Sequence, residues 1–291
     1  MSGLDPRLHA FRPDLADARL KGRVEADRFA NGELRRVVVP RAAVRRSPAA
    51  TAMQLTEALF GELVRVFDHD EETAWAWGQL EGDGYVGWLP AEALAAGAPE
   101  PTHKVAALRT LAFGGPDIKQ PPLFDLPLGS RVAVSAEAED KNARYALIAP
   151  AGAVVTQHLA PLHSAEDDWT AVAERFLGVP YLWGGKTASG IDCSGLVQVA
   201  LQACGIAAPR DSDMQEAALG YELAGEGARS DPRRGDLVFW KGHVGLMQDR
   251  ETLLHGNAYH MAVAAEPLAA AIERLAARGA AVTSFRRLRR E

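Results

Sequence analysis

The stretch GIDCSG, residues 190–195, places one of only two cysteines in the chain among polar residues and glycines. The apolar run LVQVALQACG follows at once, which predicts that this cysteine lies at the start of a helix. The first N–H groups of a helix are unpaired and the helix dipole is positive there, so both favour a thiolate. We therefore expect Cys193 to be a nucleophile with a pKa below the usual ~8.5. Gly190 and Gly195 are expected to let a substrate approach closely.

A nucleophilic cysteine needs a base, and a neutral imidazole is suited to that role near physiological pH. His243 opens the apolar run HVGLM, and His255 ends the run TLLH. If these runs are adjacent antiparallel strands, His243 can serve as the base while His255 binds its other ring nitrogen. On spacing alone, a buried and unreactive thiol with unrelated histidines is the stronger alternative. Cys204 falls late in the same apolar stripe and is expected only to pack.

The elements around these residues favour an α+β domain over residues 163–291. The segment DDWTAVAERFLG predicts an amphipathic helix that buries a stripe of apolar side chains. The second helix carries Cys193 and ends at Gly205. GDLVFWKGHVGLMQD and TLLHGNAYHMAVAAE predict apolar strands, each with a histidine.

The earlier part of the chain is predicted to be mostly strand. Residues 36–97 contain short alternating runs divided by Gly and Asp turns, and EGDGYVGWLP carries an Asp-Gly hairpin signal. Residues 98–162 repeat this style more weakly. Two small all-β barrels are therefore expected in tandem, after an N-terminal extension of residues 1–35 with a short helix near residues 14–28.

Composition excludes several classes of protein. The 291 residues are 47% hydrophobic and carry a formal net charge of −6, which gives no electrostatic reason to expect a nucleic-acid partner. No apolar run approaches the ~18 residues that a membrane span needs. The first residues lack the pattern of a secretory signal, so the cytoplasm is the expected compartment. Because no Cys/His set has the paired spacing of a zinc site, neither a metal nor a cofactor is expected.

Six segments together resemble the NlpC-type cysteine peptidases, which hydrolyse bacterial cell-wall peptides: PYLWGG, DCSGLV, PRDSDMQ, GDLVFW, HVGLM and LLH, in that order over roughly residues 165–291. GELVRVF and GYVGWLP resemble parts of bacterial SH3-like modules. This architecture is most similar to the cytoplasmic γ-D-glutamyl-L-diamino acid dipeptidyl-peptidases. The resemblance implies a papain-like core, a helix packed on an antiparallel sheet, preceded by two small SH3-like barrels.

The resemblance also implies roles for particular residues. The catalytic set would be Cys193, His243 and His255, with Tyr181 near the oxyanion. Substrate contacts are implied for Asp192, Ser194, Arg210, Asp211 and Ser212. Asp211 would pair with the free amine of the peptide, and the two serines would hold the α-carboxylate of the D-glutamyl unit. The alternative for Arg210 and Asp211 is a surface ion pair.

The first SH3-like module is implied to restrict the site to short peptides. Tyr85 or Trp88 could close the site in this way, but packing in the core of the barrel is an equally good interpretation of either aromatic residue.

The function implied is hydrolysis of the bond between γ-D-glutamate and meso-diaminopimelate or L-lysine. The partner would be a murein-derived peptide, L-Ala-γ-D-Glu-diamino acid, with a free N-terminal L-Ala, during peptidoglycan recycling. Two alternatives stay open: an exported lytic endopeptidase that cuts intact peptidoglycan, and a non-catalytic cell-wall-binding protein.

Overall fold

A computed structural model describes residues 3–223 and 231–289 of the chain. The chain divides into two compact units, Met1–His163 and Ser164–Glu291. Across the described ranges, every helix is too short or too polar to cross a bilayer.

The start of the first unit is extended where a helix was expected. It contains β1 (Leu15–Asp17), a 3-10 turn (Ala18–Leu20) and β2 (Arg28–Ala30), and the two strands pair in parallel. Leu15, Ala16 and Asp17 are buried in succession, a pattern that an amphipathic helix cannot produce. Leu15 packs into a cluster with Phe67 and Trp77, so tertiary packing outweighs the local helix propensity. The helix prediction near residues 14–28 is therefore wrong.

Seven strands form the next sheet: β3 (Glu33–Val37), β4 (Arg41–Arg45), β5 (Gln54–Leu59), β6 (Leu63–Asp70), β7 (Trp75–Leu80), β8 (Val86–Pro90) and β9 (Leu94–Ala95). The order is β5-β4-β8-β7-β6-β3-β9, with every pairing antiparallel. A 3-10 turn, Ala91–Ala93, joins the last two strands. Apolar residues alternate along β4 and β6 and bury one face, as a half-buried sheet requires.

The two aromatic residues that were candidates for closing the site lie in or beside this packed interior. Tyr85 is only 3% exposed and belongs to the core with Val44 and Leu89. Trp88 is partly buried, and the Arg12 guanidinium lies 4.9 Å from its ring centroid. Packing within the first unit thus accounts for both rings, and contact of either with a peptide stays a prediction.

Eight further strands complete the first unit: β10 (His103–Val105), β11 (Arg109–Phe113), β12 (Pro122–Pro127), β13 (Arg131–Val132), β14 (Val134–Glu139), β15 (Arg144–Ile148), β16 (Ala153–Val155) and β17 (Leu159–Pro161). A 3-10 turn, Thr156–His158, precedes β17. They form a five-stranded sheet, β12-β11-β16-β15-β14, and a three-stranded sheet, β13-β10-β17. The closure of these and the preceding strands into two barrels stays a prediction.

The second unit mixes helices and strands, which confirms the α+β class expected for this part of the chain. The helices in its described residues are α1 (Trp169–Glu174), α2 (Cys193–Ala203), α3 (Ser212–Ala218) and α4 (Leu268–Ala276). Its strands are β18 (Lys186–Thr187), β19 (Gly190–Ile191), β20 (Tyr221–Glu222), β21 (Leu237–Trp240), β22 (His243–Met247), β23 (Thr252–Asn257), β24 (Ala262–Pro267) and β25 (Val282–Arg287). Six of them form a sheet in the order β20-β25-β21-β22-β23-β24.

Helix α2 is the central element of this unit and packs against β22 and β23. Every residue from Cys193 to Leu201 is buried, so this part of the helix is enclosed by protein on all sides. Helix α4 covers another part of the sheet, where Ala271 packs with Trp240 and Leu253. The start of α2 is thereby held beside the two histidine-bearing strands.

Candidate active site

The start of α2 is fixed by the side chain of Asp192. Its Oδ1 accepts a hydrogen bond from the Gly195 N–H at 2.7 Å, and its Oδ2 accepts one from the Gly184 N–H at 2.8 Å. This is the capping arrangement that satisfies the unpaired donors at a helix start. Cys193 is consequently the first residue of the helix. Its own N–H has no hydrogen-bond acceptor among the residues that the structure describes.

Arg210 balances the charge of the Asp192 carboxylate. Its guanidinium binds both oxygens of Asp192, at 2.9 and 2.7 Å, and also donates to Ser194 Oγ at 2.9 Å. Arg210 is 1% exposed and Asp192 is 7% exposed. Their charged groups are committed to each other inside the protein, so the alternative of a surface ion pair is wrong for Arg210, while contact with substrate stays a prediction for both residues. They position the helix start.

Removing the charge of Arg210 should make the second unit easier to unfold. Arg210→Met leaves Asp192 buried without its partner, so the free energy of unfolding should fall by about 3–5 kcal/mol. The double variant Asp192→Asn/Arg210→Met should recover a large part of this loss. Urea denaturation measures both. The matched control is Arg175→Met, which breaks a half-exposed pair with Glu166 at 2.8 Å and should cost less than about 1 kcal/mol. Equal losses for the two arginines would contradict the assignment.

The glycines around the cysteine serve packing within the protein. A Cβ at Gly195 would lie 2.3 Å from the Gly185 carbonyl oxygen, and one at Gly190 would lie 2.5 Å from the Leu182 Cβ. The expectation that Gly190 and Gly195 leave room for substrate is therefore wrong. On β23, a Cβ at Gly256 would lie 3.2 Å from the carbonyl carbon of Asp192. The absence of side chains lets the helix start approach the loop and the sheet.

The two histidines meet as adjacent antiparallel strands require. β22 and β23 pair in the register Leu246↔Leu254, and His243 Nε2 lies 2.8 Å from His255 Nδ1. Gly245 makes room between the strands, because a Cβ there would lie 3.1 Å from the His255 Cβ. His255 is 1% exposed, whereas His243 is only partly buried. A ring that must exchange protons with substrate needs that partial access.

The cysteine sulfur lies next to the residue that follows His243. The backbone N–H groups of Val244 and Ser194 lie close enough to the Cys193 sulfur to lower the pKa of the thiol. This contact brings the start of α2 against the start of β22. With His243 Nε2 engaged by His255, Nδ1 is the ring nitrogen that can take the thiol proton.

Burial determines the charge states of this group. Burial, reinforced by the charge of Asp192, raises the pKa of Cys193 to about 12, and the two N–H donors and Arg210 only partly oppose this. Burial also lowers the pKa of His243 to about 3 and that of His255 to about 4. The expected low pKa of the thiol is thus wrong for the resting protein. Desolvation outweighs the helix terminus, so the resting pair is a neutral thiol and a neutral imidazole.

Tyr181 lies close to the sulfur. Burial raises the pKa of its hydroxyl, and the neighbouring charges of Cys193 and Asp192 raise it further. The Tyr181 N–H donates to the Met261 carbonyl at 2.9 Å, and its backbone bridges to Ile191. The phenol therefore stays protonated and can donate a hydrogen bond beside the thiol.

Two predicted substrate contacts lie at the start of α3. Asp211 is the residue before this helix and Ser212 is its first residue, and both are half-buried. The third, Ser194, is buried at the start of α2, where Arg210 binds its hydroxyl. Gln215 connects the two helices, because its side-chain amide donates to the Ser194 carbonyl at 2.9 Å.

Sequence reasoning missed two charged residues behind the histidines. Glu266 Oε1 accepts from His255 Nε2 at 2.7 Å, and Arg274 binds both oxygens of Glu266 at 2.5 and 2.6 Å. The signal was a lone acidic residue in the apolar run MAVAAEPLAAA, on the strand after that of His255. His255, His260 and Glu266 also have ligand atoms within 4.8 Å of one another. Because the Arg274 cation occupies both carboxylate oxygens, this cluster fits an ion pair better than a metal ion.

Two protein families match parts of this chain. Residues 178–274 match the NlpC/P60 family, and residues 44–94 match the bacterial dipeptidyl-peptidase Sh3 domain. The chain is 30% identical over 226 residues to the gamma-D-glutamyl-L-lysine dipeptidyl-peptidase of Bacillus subtilis. The aligned residues make up 69% of this chain and 71% of that protein.

Two further similarities are partial or structural. Dipeptidyl-peptidase 6 of Lysinibacillus sphaericus is 31% identical over 103 residues, which span 35% of this chain and 36% of that protein. The crystal structure of an NlpC/P60 family protein from Bacillus cereus superposes with a TM-score of 0.71 at 21% identity, covering 88% of this chain and 99% of that one. At that identity the superposition supports the fold: a core of the NlpC/P60 type preceded by a small SH3-like domain.

Proposed function

Because this chain belongs to the NlpC/P60 family of cysteine peptidases, we propose that it hydrolyses the bond between γ-D-glutamate and a diamino acid in peptidoglycan-derived peptides. The diamino acid would be meso-diaminopimelate or L-lysine. One observation carries the proposal: Cys193, at the capped start of α2, lies against β22, whose His243 is bonded to His255. The relatives named for dipeptidyl-peptidase activity support the choice of substrate.

The first chemical step forms a thioester. The Cys193 sulfur attacks the γ-carbonyl carbon while its proton passes to His243 Nδ1, so no separated charge exists before substrate binds. The Cys193 N–H is unpaired within the described ranges, and together with the Tyr181 hydroxyl it would receive the developing oxyanion. His243, now an imidazolium, protonates the amine of the leaving diamino acid.

The second step releases the acyl fragment. Neutral His243 takes a proton from water as the oxygen attacks the thioester, and the thiol is then reprotonated from the same ring. The sum is hydrolysis of one amide bond, and no step calls for a metal or an organic cofactor.

Recognition of a short peptide forms the finer part of the proposal. Asp211 would pair with the ammonium of an N-terminal L-Ala, and Ser194 and Ser212 would bind the α-carboxylate of the D-glutamyl unit. A carboxylate that is half-buried favours a cation over a neutral amide, which provides a basis for selecting a free amino end. We further propose that the two all-β modules close as SH3-like barrels and that the reaction serves peptide recycling in the cytoplasm.

The decisive test is a digest of the tripeptide L-Ala-γ-D-Glu-meso-diaminopimelate by the full chain, followed by mass spectrometry. The dipeptide L-Ala-D-Glu and free diaminopimelate are the expected products. The N-acetylated tripeptide should be cut at least about 100-fold more slowly, because its amine carries no charge to pair with Asp211. Cys193→Ala serves as the inactive control.

Other outcomes separate the alternatives. If intact sacculi were cleaved at a rate comparable to that of the tripeptide, the preference for short peptides would be refuted. That result is the one expected of a lytic endopeptidase. Binding of sacculi with no cleavage of either substrate would refute the enzyme and favour a wall-binding protein.

A further inference from the structure

We propose that Glu266, held by Arg274, is a positioning residue that determines which ring nitrogen of His243 receives the thiol proton. This inference rests on the proposed function, since it concerns the base of that reaction. It adds two residues, from β24 and α4, to a site otherwise built by α2, β22 and β23.

An unbroken row of hydrogen bonds links these residues. Arg274 donates to both oxygens of Glu266, Glu266 Oε1 lies 2.7 Å from His255 Nε2, and His255 Nδ1 lies 2.8 Å from His243 Nε2. Strand pairing explains the reach. His255 is opposite Ala264 in the β23–β24 pair, so Glu266 is its diagonal neighbour on the same face.

The row permits only one arrangement of protons when Glu266 is ionised. A carboxylate only accepts, so His255 must carry its proton on Nε2. His255 Nδ1 is then a bare acceptor, and His243 must carry its proton on Nε2 to donate to it. His243 Nδ1 is left with its lone pair, which is the state that a general base requires.

Arg274 keeps Glu266 in its acceptor state. Burial alone would raise the pKa of Glu266, but the hydrogen bonds from Arg274 and His255 outweigh it and the pKa lies below its usual value. Among the residues that the structure describes, His260 also faces this carboxylate: its Nδ1 is 4.0 Å from Oε1 and bonds Asn257 Oδ1 at 3.1 Å. Arg274 itself lies 4.2 Å from the Tyr259 ring centroid, which holds its guanidinium in place.

The substitution Glu266→Gln tests the arrangement because an amide has only one acceptor oxygen. Arg274 Nη1 makes the shorter of the two arginine contacts, with Oε2, so the amide oxygen should take that position and the NH₂ group should face His255 Nε2. Both histidines would then switch tautomer, and His243 Nδ1 would carry a hydrogen. We expect kcat on the tripeptide to fall on the order of 10²-fold, since a wrong tautomer impairs the base, while KM stays within about threefold.

A second substitution should reverse the effect. In Glu266→Gln/Arg274→Met the amide is free to turn its oxygen to His255, so the original tautomers and at least about tenfold of the lost kcat should return. Glu266→Asp, which keeps a carboxylate, should retain more activity than Glu266→Gln. A role limited to stability predicts instead that the double variant is worse than either single one.

Nitrogen NMR of the ¹⁵N-histidine-labelled full chain reads the tautomers without any turnover. His255 and His243 should both be protonated on Nε2 in the unaltered protein and on Nδ1 in Glu266→Gln. The matched controls are Glu174→Gln and Arg234→Met, which alter a similar two-bond pair with contacts of 2.7 and 3.0 Å and, within the described part of the chain, no hydrogen bond to either histidine. They should change neither tautomers nor kcat.

Unchanged tautomers in Glu266→Gln, or a kcat within threefold of the unaltered protein, would overturn the inference. An unaltered protein that leaves the tripeptide intact would instead count against the proposed function, while the NMR result would still test the hydrogen-bond row.

Discussion

Replacing Cys193 by alanine is expected to lower kcat/KM on the tripeptide by at least about 10⁴-fold, because it removes the nucleophile and leaves only the oxyanion donors and substrate binding. The substitution deletes one sulfur atom from a residue that is 7% exposed. Its capping neighbour Asp192 keeps its bonds to Gly195, Gly184 and Arg210. The fold should therefore persist, and circular dichroism with thermal denaturation should show it.

Cys204 provides the internal control for this prediction. It is the other cysteine of the chain, partly buried just beyond the end of α2, and burial raises the pKa of its thiol to about 11. Cys204→Ala should leave kcat/KM within about twofold of the original. Residual peptidase activity above 1% in pure Cys193→Ala protein would show that another group performs the attack.

The elements that hold the proposed catalytic residues could be predicted because each carried a strong local signal. The apolar run after Asp192 specified α2, and Gly205, with φ of +76°, ends it as expected. The runs HVGLM and TLLH became β22 and β23, and their pairing brought the two rings within hydrogen-bond distance. In each case local propensity and tertiary packing favoured the same structure.

The features that could not be predicted from the sequence depend on contacts between segments that are distant in the chain. Arg210 and Asp192 are 18 residues apart, and nothing in either local segment indicates that they form a buried pair. The state of the thiol depends on desolvation by the surrounding protein, which the local sequence at the helix start does not reveal. The helix prediction for residues 14–28 failed for a similar reason, since Leu15 packs in a cluster with Phe67 and Trp77.

The substitution His243→Gln is expected to lower kcat/KM on the order of 10³-fold, because the thiol then has no acceptor for its proton. The unaltered protein should also show an unusual pH dependence. A histidine with an ordinary pKa near 6.5 would make kcat/KM fall below that pH. Burial lowers the pKa of His243 to about 3, so the base stays neutral and kcat/KM should be flat from pH 5 to pH 8.

The reactivity of the resting thiol gives an independent measure of the charge states of Cys193 and His243. With a thiol pKa raised to about 12 and an imidazole pKa lowered to about 3, a preformed ion pair is not the favoured state near neutral pH. Iodoacetamide should therefore alkylate Cys193 faster as pH rises, about tenfold per unit between pH 6 and pH 8, because only the thiolate reacts.

A preformed thiolate–imidazolium pair would instead give a rate that is already high and constant across that range, and kcat/KM would track the ionisation of the pair. His103→Gln is the control, since this residue lies on β10 in the other unit and should alter neither profile. A constant alkylation rate from pH 6 to pH 8 would mean that charge–charge attraction at the start of α2 exceeds the cost of burying both ions. Proton transfer would then precede substrate binding, and the Glu266 row would act by stabilising the imidazolium through His255 rather than by setting the tautomer of a neutral base.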